Sequence, residues 1–384
     1  MPDAGGQGGQ AEGQAPFIPV NEPLLNERTR RYVDECISTG WVSSEGHFIT
    51  DFEKSWASYC GMDHGIAVSS GTTALDLAVA CLELEPGSEV IMPTFTIISC
   101  ALAILRAGLK PVLVDSDRRT WCLDVNAVAE KITSRTRAIM PVHMYGHPAD
   151  MDPLLELARK HNLFVIEDAA EAHGAKYKEQ TVGGIGDLSC FSFYANKIIT
   201  TGEGGMVLAK TAEHAERVRS LRNLCFRPDR RFYHTKAGHN YRLTNLQAAV
   251  GLSQVEAMDD HLRRKRWLGQ AYTEQLRRVD QITLPVEEPW AMNVYWMYGL
   301  VLNDDVPYDA VEFARRLRAK GVDTRPFFLG MHEQPVFREQ GLFAGESYPV
   351  AERLAVRGLY LPSGLALTES QLSRVCEAVR EVFA

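Results

Sequence analysis

The sequence predicts an α/β protein, with a large domain built on a mostly parallel sheet and a smaller C-terminal α/β domain. Short apolar segments alternate with helical segments between residues 72 and 209, a spacing that predicts right-handed crossovers between parallel strands. The 384 residues are enough for two or three domains of ordinary size. The apolar run 163–166 ends on Glu167 and Asp168. Ligands of open α/β sheets bind at such strand ends.

The elements of the large domain follow one another from residue 17 to residue 266. Residues 1–16 are rich in Gly, Gln and Ala and are predicted to be a disordered tail, because they cannot bury enough apolar surface to become ordered. Helices are expected at 27–39, 72–84, 98–107, 153–160 and 245–266. The second of these is apolar on nearly every face and should be buried. Strands are expected at 89–92, 111–114, 138–143, 163–167, 189–193 and 206–209.

The small domain is assigned to residues 267–384. Helical patterns at 308–320 and 369–383 flank short strand-like segments at 297–302 and 322–325. This alternation indicates a second, smaller α/β unit with its own core.

Composition excludes several classes of function. A net charge of -8 gives no general attraction to a nucleic-acid backbone, and the short basic cluster is confined to 227–231. The eight cysteines have no Cys-x-x-Cys pair and are expected to be reduced thiols. No apolar run approaches the ~18 residues of a membrane helix, and no signal peptide is visible, so a cytoplasmic protein is expected.

Motifs for metals and for other cofactors are absent from the sequence. His143 and His147 bracket a Tyr-Gly turn and have no third partner, and Asp115 and Asp117 lack the rest of a calcium loop. Neither a dinucleotide-binding glycine motif after a strand nor a Walker lysine motif occurs. We therefore expect no metal, and the nicotinamide and ATP hypotheses have no supporting motif.

Lys197 is the strongest candidate for chemistry, because it lies between aromatic residues and the glycine-rich residues 202–205. Apolar neighbours lower the pKa of a lysine, and a neutral amine is what attack on a carbonyl requires. The alternative is a surface lysine beside a turn. Asp168, at the end of a predicted strand, is the candidate acidic residue of the same ligand site. Its alternative role is that of a helix N-cap or turn residue.

These segments resemble the DegT/DnrJ family of pyridoxal-phosphate sugar aminotransferases over nearly the whole chain. The resemblance is carried, in order, by residues 41–44, 69–75, 141–146, 167–172, 192–206 and 240–245. It implies an aspartate-aminotransferase-like fold, that of the type I pyridoxal-phosphate enzymes. It also implies pyridoxal 5'-phosphate as the cofactor.

The resemblance assigns roles around the cofactor ring. Lys197 is implied as the Schiff-base residue and as the group that moves the proton. Asp168 is implied as the partner of the ring nitrogen. Glu171 would lie near the phenolic oxygen, with helix capping as its alternative. Ile97 stands where the family usually has an aromatic residue over the ring. Since stacking contributes only about 0.5–1.5 kcal/mol beyond burial, an aliphatic cover could serve.

The phosphate cradle implied by the resemblance consists of Gly71, Thr72, Thr73, Ser192 and Asn240. Glycine permits close approach, and the amino end of a helix attracts an anion. A Gly-Thr pair before a helix also fits ordinary capping. The segment 238–242 resembles one that reaches into a neighbouring subunit, so a homodimer with shared active sites is expected.

The implied reaction moves the amino group of L-glutamate to the C4 keto group of a nucleotide-linked 4-keto-6-deoxy sugar. GDP-4-keto-6-deoxy-D-mannose is the expected acceptor, and a TDP- or UDP-linked sugar is the alternative. Substrate contacts are expected from five residues, Trp41, Ser43, Arg230, Arg325 and His332. A domain-closing salt bridge is the alternative role for Arg325.

Two other functions compete with amination. A sugar dehydratase of the same fold would carry histidine in place of Lys197. A non-catalytic protein on the same scaffold would show a degraded site, and only Ile97 looks unusual.

Overall fold

The computed structural model describes residues 16–227 and 229–384. The predicted disordered tail, apart from residue 16, lies outside the described residues. The helices are α1 Glu27–Thr39, α2 His47–Tyr59, α3 Gly71–Ala80, α4 Ser99–Arg106, α5 Val125–Lys131, α6 Met151–His161, α7 Ala212–Arg222, α8 Asn245–Val255, α9 Met258–Leu276, α10 Ala310–Ala319, α11 Pro335–Arg338, α12 Pro349–Arg357 and α13 Glu369–Phe383. The strands are β1 His64–Val68, β2 Glu89–Pro93, β3 Lys110–Val114, β4 Thr136–Ile139, β5 Phe164–Asp168, β6 Lys176–Tyr177, β7 Gln180–Thr181, β8 Leu188–Ser192, β9 Gly205–Ala209, β10 Ile282–Thr283, β11 Ala291–Met292, β12 Tyr298–Leu302, β13 Arg325–Pro326 and β14 Gly358–Leu361.

The large domain is organised around a seven-stranded sheet in the order β1-β9-β8-β5-β4-β2-β3. Strands β3, β2, β4, β5 and β8 are parallel neighbours, whereas β9 runs antiparallel to both β8 and β1. The central strands are buried along their length, as expected for a sheet covered by helices on both faces. The predicted α/β class with a mostly parallel sheet is confirmed.

Helix α3 is buried because apolar residues occupy most of its circumference. Its start is defined by a capping box, in which Ser70 Oγ accepts from Thr73 N and Thr73 Oγ1 accepts from Ser70 N. The helix ends at Ala80, four residues before the predicted end. The capping box therefore fixes the N-terminus of α3, which lies at the carboxyl ends of the strands.

The predicted helix at 245–266 is two helices in the structure. Helix α8 ends at Val255, and α9 begins at Met258 after a turn at Glu256 and Ala257. Neither turn residue is glycine or proline, so no helix-breaking residue in the sequence indicates the break. The predicted strand at 138–143 is also shorter, because β4 ends at Ile139.

A second hydrophobic core lies around the four-stranded antiparallel sheet β10-β12-β14-β13 and helices α9, α10 and α13. Leu268, Tyr272 and Leu276 of α9 belong to this core, whereas Met258 and Leu262 of the same helix pack in the first core. Ile18 also packs in the second core and forms a bridge with Val322. The placement of the boundary at 266/267 remains a prediction.

Within the described ranges, no helix combines the length and apolar character needed to cross a membrane.

Candidate active site

A cavity of about 330 Å³ opens where parallel strands of the large sheet end. Its walls come from segments that follow β1, β2, β4, β5 and β8 and from the small domain. The lining residues are Ser70, Gly71, Thr72, Leu75, Thr96, Ile97, Ser99, Val142, Asp168, Ala170, Glu171, Ser192, Tyr194, Asn196, Lys197, Glu203, Trp296, Phe328 and Tyr360. The carboxyl edge of a parallel sheet is where α/β proteins bind ligands.

Lys197 lies in this cavity on the loop between β8 and β9. Its Nζ is 3.7 Å from the centroid of the Trp296 ring. Burial lowers the pKa of Lys197 below its usual value, and the carboxylates of Glu171 and Asp168 oppose that shift. The environment therefore raises the fraction of neutral amine, which is the reactive form.

Asp168 ends β5 and is buried, with both carboxylate oxygens held. Oδ2 accepts from Cys100 Sγ at 3.0 Å, and Oδ1 accepts from the amide of Ala170 at 3.1 Å. Burial first, and the neighbouring Asp168 second, raise the pKa of the Cys100 thiol, so the thiol stays protonated and acts as a donor. Asp168 thus presents a carboxyl group of fixed orientation to the cavity.

Glu171 is buried on the same wall and accepts from the amide of Tyr145 at 2.9 Å. Burial raises the pKa of Glu171 to about 7, against the opposing effects of Lys197 and the Tyr145 amide. His173 lies deeper, where burial and the charge of Lys197 lower its pKa to about 3. His173 is therefore neutral, whereas Glu171 can gain or lose a proton near neutral pH.

The start of α3 and the end of β8 form a further part of the cavity wall. A Cβ on Gly71 would stand 2.7 Å from Ser192 Cβ, so only glycine allows these two segments to approach so closely. Thr72 Oγ1 lies 2.8 Å from Ser99 Oγ. The first amides of a helix have no partner inside the helix and attract an anion. Two hydroxyl groups, at Thr72 and Ser192, line the same space.

This donor set fits pyridoxal 5'-phosphate. Amides and hydroxyl groups suited to a phosphate, a buried carboxyl group at Asp168 suited to a ring nitrogen, and the amine of Lys197 all line the same cavity. Hydrogen-bond donors suit an anion, and a buried carboxylate suits a protonated ring. Ile97 lines the cavity but is 41% exposed in the isolated chain.

Among the cavity residues that sequence reasoning missed are two aromatic residues, Trp296 and Tyr360. They lie in the small domain, 99 and 163 residues after Lys197 in the sequence, and join Phe328 in an aromatic wall. Trp296 Nε1 donates to the carbonyl of Asn196 at 2.7 Å. The only signal was the aromatic cluster at 295–298, which is equally typical of a core strand.

Seven of the predicted site residues lie outside the cavity of their own chain, among them Thr73, Trp41, Ser43 and Asn240. Thr73 uses its hydroxyl in the capping box of α3. Trp41 and Ser43 are exposed, and their carbonyls accept from Asn245. Asn240 is exposed and pairs in a bridge with Asn223. The predicted ligand contacts of these residues remain predictions.

The remaining predicted substrate residues also have other partners. Arg230 is exposed, with its guanidinium 4.6 Å from the Tyr233 ring centroid. Arg325 pairs with Asp323 at 2.7 Å, which is a salt bridge as in its alternative role, although the bridge stays within one segment. Arg325 is also the strand partner of Tyr360, a cavity residue.

His332 differs most from its predicted place. It is buried, with Nδ1 2.8 Å from Thr94 Oγ1 and Nε2 3.1 Å from a carboxylate oxygen of Glu352. Thr94 begins the segment that leads to Thr96 and Ile97 of the cavity wall. In this structure both ring nitrogens are engaged, so His332 braces the cavity wall from behind.

A closed polar cluster, the Glu167 cluster, lies behind the cavity and consists of Glu167, His143 and loop residues 183–186. Glu167 accepts from His143 Nε2 at 3.0 Å and from the amides of Gly183, Ile185 and Gly186 at 2.6–2.9 Å. His143 Nδ1 accepts from Ala149 N. The structure thus gives His143 a structural role. In the part of the chain that the structure describes, no group of three or more His, Cys, Asp or Glu side chains could hold a metal.

A second hollow, of about 610 Å³, carries four arginines, of which Arg222 is paired with Glu53 and Arg227 with Asp229. It is lined by Ser44, Glu45, Ile49, Arg222, Asn223, Phe226, Arg227, Arg231, Arg242 and Leu243. Arg242 donates to Asn223 at 2.6 Å, and Asn223 is the bridge partner of Asn240. The hollow and the segment with Asn240 therefore form one surface region of the chain.

Comparison with known proteins extends over almost the whole chain. Residues 23–380 match the model of the DegT/DnrJ/EryC1/StrS aminotransferase family. The chain is 44% identical to the GDP-perosamine synthase of Caulobacter vibrioides and 39% identical to that of Escherichia coli O157:H7, each over 96% of this chain and 99% of the relative. A crystal structure of S. venezuelae DesV superposes with a TM-score of 0.88 at 36% identity, covering 96% of this chain and 99% of DesV.

Proposed function

This chain belongs to the DegT/DnrJ/EryC1/StrS aminotransferase family, and we propose that it transfers the amino group of L-glutamate to C4 of GDP-4-keto-6-deoxy-D-mannose, which yields GDP-perosamine and 2-oxoglutarate. The observation that carries this proposal is the cavity in which Lys197, Asp168 and the start of α3 converge. The choice of a GDP-linked sugar rests on the similarity to GDP-perosamine synthases at 44% and 39% identity.

Pyridoxal phosphate, when bound, supplies an electron sink for the electron pair released at an amino-bearing carbon. Gly71, Thr72 and Ser192 would hold its phosphate, and Asp168 would keep its ring nitrogen protonated. Cys100 holds Oδ2 of Asp168, so the carboxylate is oriented before any ligand arrives. Lys197 would form the covalent link to the cofactor aldehyde.

Lys197 would also carry the proton in both halves of the reaction. Its neutral amine can remove the proton from the amino-bearing carbon of glutamate, and its ammonium form can return a proton at C4 of the sugar. The lowered pKa supports this double role, because an amine with a pKa closer to neutral exchanges protons in both directions. Glu171, with a pKa of about 7, can buffer the charge beside it.

The acceptor sugar and its diphosphate would be bound by two subunits. Asn240 lies outside the cavity of its own chain, and the hollow beside it includes Arg231 and Arg242 as well as Arg222 and Arg227, which are paired with Glu53 and Asp229. Guanidinium groups bind diphosphate oxygens well. A homodimer that places Asn240 and this hollow against the partner's cavity would complete both sites, with Arg230, Trp41 and Ser43 in the same region. We place the enzyme in the cytoplasm.

The first test asks whether glutamate donates the nitrogen. The purified chain loaded with pyridoxal phosphate should have a visible absorbance band that disappears when L-glutamate is added. Lys197→Arg, which keeps the charge but removes the nucleophile and proton carrier, should retain the absorbance of the cofactor after glutamate is added. An unchanged spectrum in the wild-type protein would contradict the proposal.

The second test identifies the acceptor. GDP-, TDP- and UDP-linked 4-keto-6-deoxy sugars are incubated separately with the loaded enzyme and glutamate, and the products are analysed by mass spectrometry. We expect an aminated sugar with the GDP-linked acceptor. A preference for the TDP- or UDP-linked acceptor would change the substrate, and loss of water with release of ammonia would indicate a dehydratase.

A further inference from the structure

Trp296 contacts the lysine to which the chemistry is assigned. Its ring centroid is 3.7 Å from Lys197 Nζ, well inside the ~6 Å limit for a cation–π contact. Trp296 is buried, so water competes little for the ammonium group at this ring. The quadrupole of an indole face attracts a cation most strongly when the cation is desolvated.

The indole is fixed to the main chain beside the lysine itself. Trp296 Nε1 donates to the carbonyl of Asn196, the residue before Lys197, at 2.7 Å. Asn21 donates to the same carbonyl at 3.1 Å. Because the ring is bonded to the lysine loop, the ring and the amine keep their relative position when either segment shifts.

A second buried lysine fixes the main chain of Trp296. Lys265 Nζ donates to the carbonyl of Trp296 at 2.8 Å and also to the carbonyl of Ser363. Burial lowers the pKa of Lys265 to about 7. Lys265 lies in α9, which contributes residues to both hydrophobic cores. The main chain of Trp296 is therefore hydrogen-bonded to a helix that packs in both hydrophobic cores, which fixes the position of the indole.

We propose that Trp296 is a positioning residue for Lys197, whose indole face holds the ammonium group of Lys197 whenever that amine is free. The covalent link to the cofactor would occupy the amine only until an amino substrate displaces it. During the proton transfers of both halves of the reaction the amine is free, and it then needs a fixed place from which it can move a proton. The ring supplies that place without a hydrogen bond that would have to be broken. This inference rests on the proposed role of Lys197.

The test replaces Trp296 with fluorinated tryptophans in the full-length chain freed of cofactor. Fluorine weakens the quadrupole of the ring with little change in its volume, so the ammonium form of Lys197 should lose stability. Reductive methylation of Lys197, followed by peptide mass spectrometry across a pH series, reports the midpoint at which the amine becomes neutral. We expect this midpoint to fall stepwise with fluorination, by about 0.3–1 pH unit in total.

The other ionisable groups around Lys197 are the same in every one of these proteins. Asp168 and Glu171 favour the ammonium form, and His173 is kept neutral by burial. A shift of the labelling midpoint therefore measures the effect of the Trp296 ring on the ammonium form of Lys197. Fluorinated tryptophan at position 267, where Arg264 lies 5.5 Å from the ring, is the matched control and should leave the Lys197 midpoint unchanged.

A midpoint that does not move with fluorination at position 296 would overturn the proposal. Trp296→Phe and Trp296→Leu give a second comparison, because Phe keeps a ring face and Leu does not. The Phe variant should retain more of the wild-type kcat than the Leu variant does, and equal losses would also count against the proposal. A wrong assignment of the sugar would leave the labelling result untouched, so the two failures are distinguishable.

Discussion

Glu167 in the closed cluster and Glu171 in the cavity are both buried and four residues apart, yet their pKa values shift in opposite directions. Burial alone would raise both pKa values. For Glu167, His143 and the amides of Gly186 and Gly183 outweigh burial and lower the pKa below 4.5. Glu171 has a single amide donor, and its pKa rises to about 7. The number of hydrogen bonds, not the depth of burial, separates a structural carboxylate from one that can exchange protons.

The difference also separates two kinds of mutational effect. A polar residue of the cavity has hydrogen-bonding groups that are free to bind a ligand, so its loss should reduce activity more than stability. The hydrogen-bonding groups of the Glu167 cluster are all bound to other protein groups, so the loss of one of its residues should reduce stability. Four predictions test this division.

The largest effect is expected from Lys197→Ala. Removal of the nucleophile and proton carrier should lower kcat by at least about 10⁴-fold. The free energy of unfolding should stay within about 1 kcal/mol of the wild type, because the removal of a desolvated amine offsets the loss of its attraction to Asp168 and Glu171. Turnover is measured by mass spectrometry of the product, and unfolding by urea titration. Substantial residual turnover would contradict the role of Lys197.

Glu167→Ala should show the reverse pattern. The substitution leaves His143 Nε2 and three amides without an acceptor in a buried site, which should cost about 3–5 kcal/mol of unfolding free energy. Urea titration measures the loss. Glu179→Ala, at an exposed position 12 residues further on, is the control and should change stability by less than about 0.5 kcal/mol. Equal stabilities of the two variants would contradict the structural role of Glu167.

Glu171→Gln should alter the pH dependence of stability in the cofactor-free chain. The folded pKa of about 7 lies above the ordinary value of 4.5, so between these values the folded chain binds more protons than the unfolded chain. The contribution of Glu171 is therefore fully present below pH 4.5 and is lost as the pH rises to about 7, by up to about 3 kcal/mol. The Gln variant should lack this decrease in urea titrations at a series of pH values. An identical pH dependence in both proteins would refute the assignment.

The smallest effect is expected from Cys100→Val. The variant removes the thiol that donates to Asp168 Oδ2 while it keeps an apolar side chain of similar size. Loss of one hydrogen bond of about 0.5–1.5 kcal/mol should weaken pyridoxal-phosphate binding by about 2- to 10-fold. Equilibrium dialysis measures the affinity. Cys376→Val, in the second hydrophobic core, is the control and should bind the cofactor as the wild type does.

Much of the site was predictable because its parts are short and local. Gly71 and Thr72 stand at a helix start, Asp168 stands at a strand end, and Lys197 stands in an aromatic and glycine-rich loop, so each is recognisable from a few neighbours. His332 was not predictable in this way. Its partners Thr94 and Glu352 are 238 and 20 residues away, and the packing of the small domain against the large one decides which atoms its ring meets.

The sequence by itself determined the α/β class, the order of the central elements, the family and the residues that suit pyridoxal phosphate, because periodicity and motif chemistry act over a few residues. Only the tertiary structure decided that one predicted helix breaks at Glu256, that Trp296 lies against Lys197, and that the pKa values of Glu167 and Glu171 shift in opposite directions. These features depend on contacts between distant segments, and a pKa in particular depends on every donor and charge that folding brings within a few ångströms.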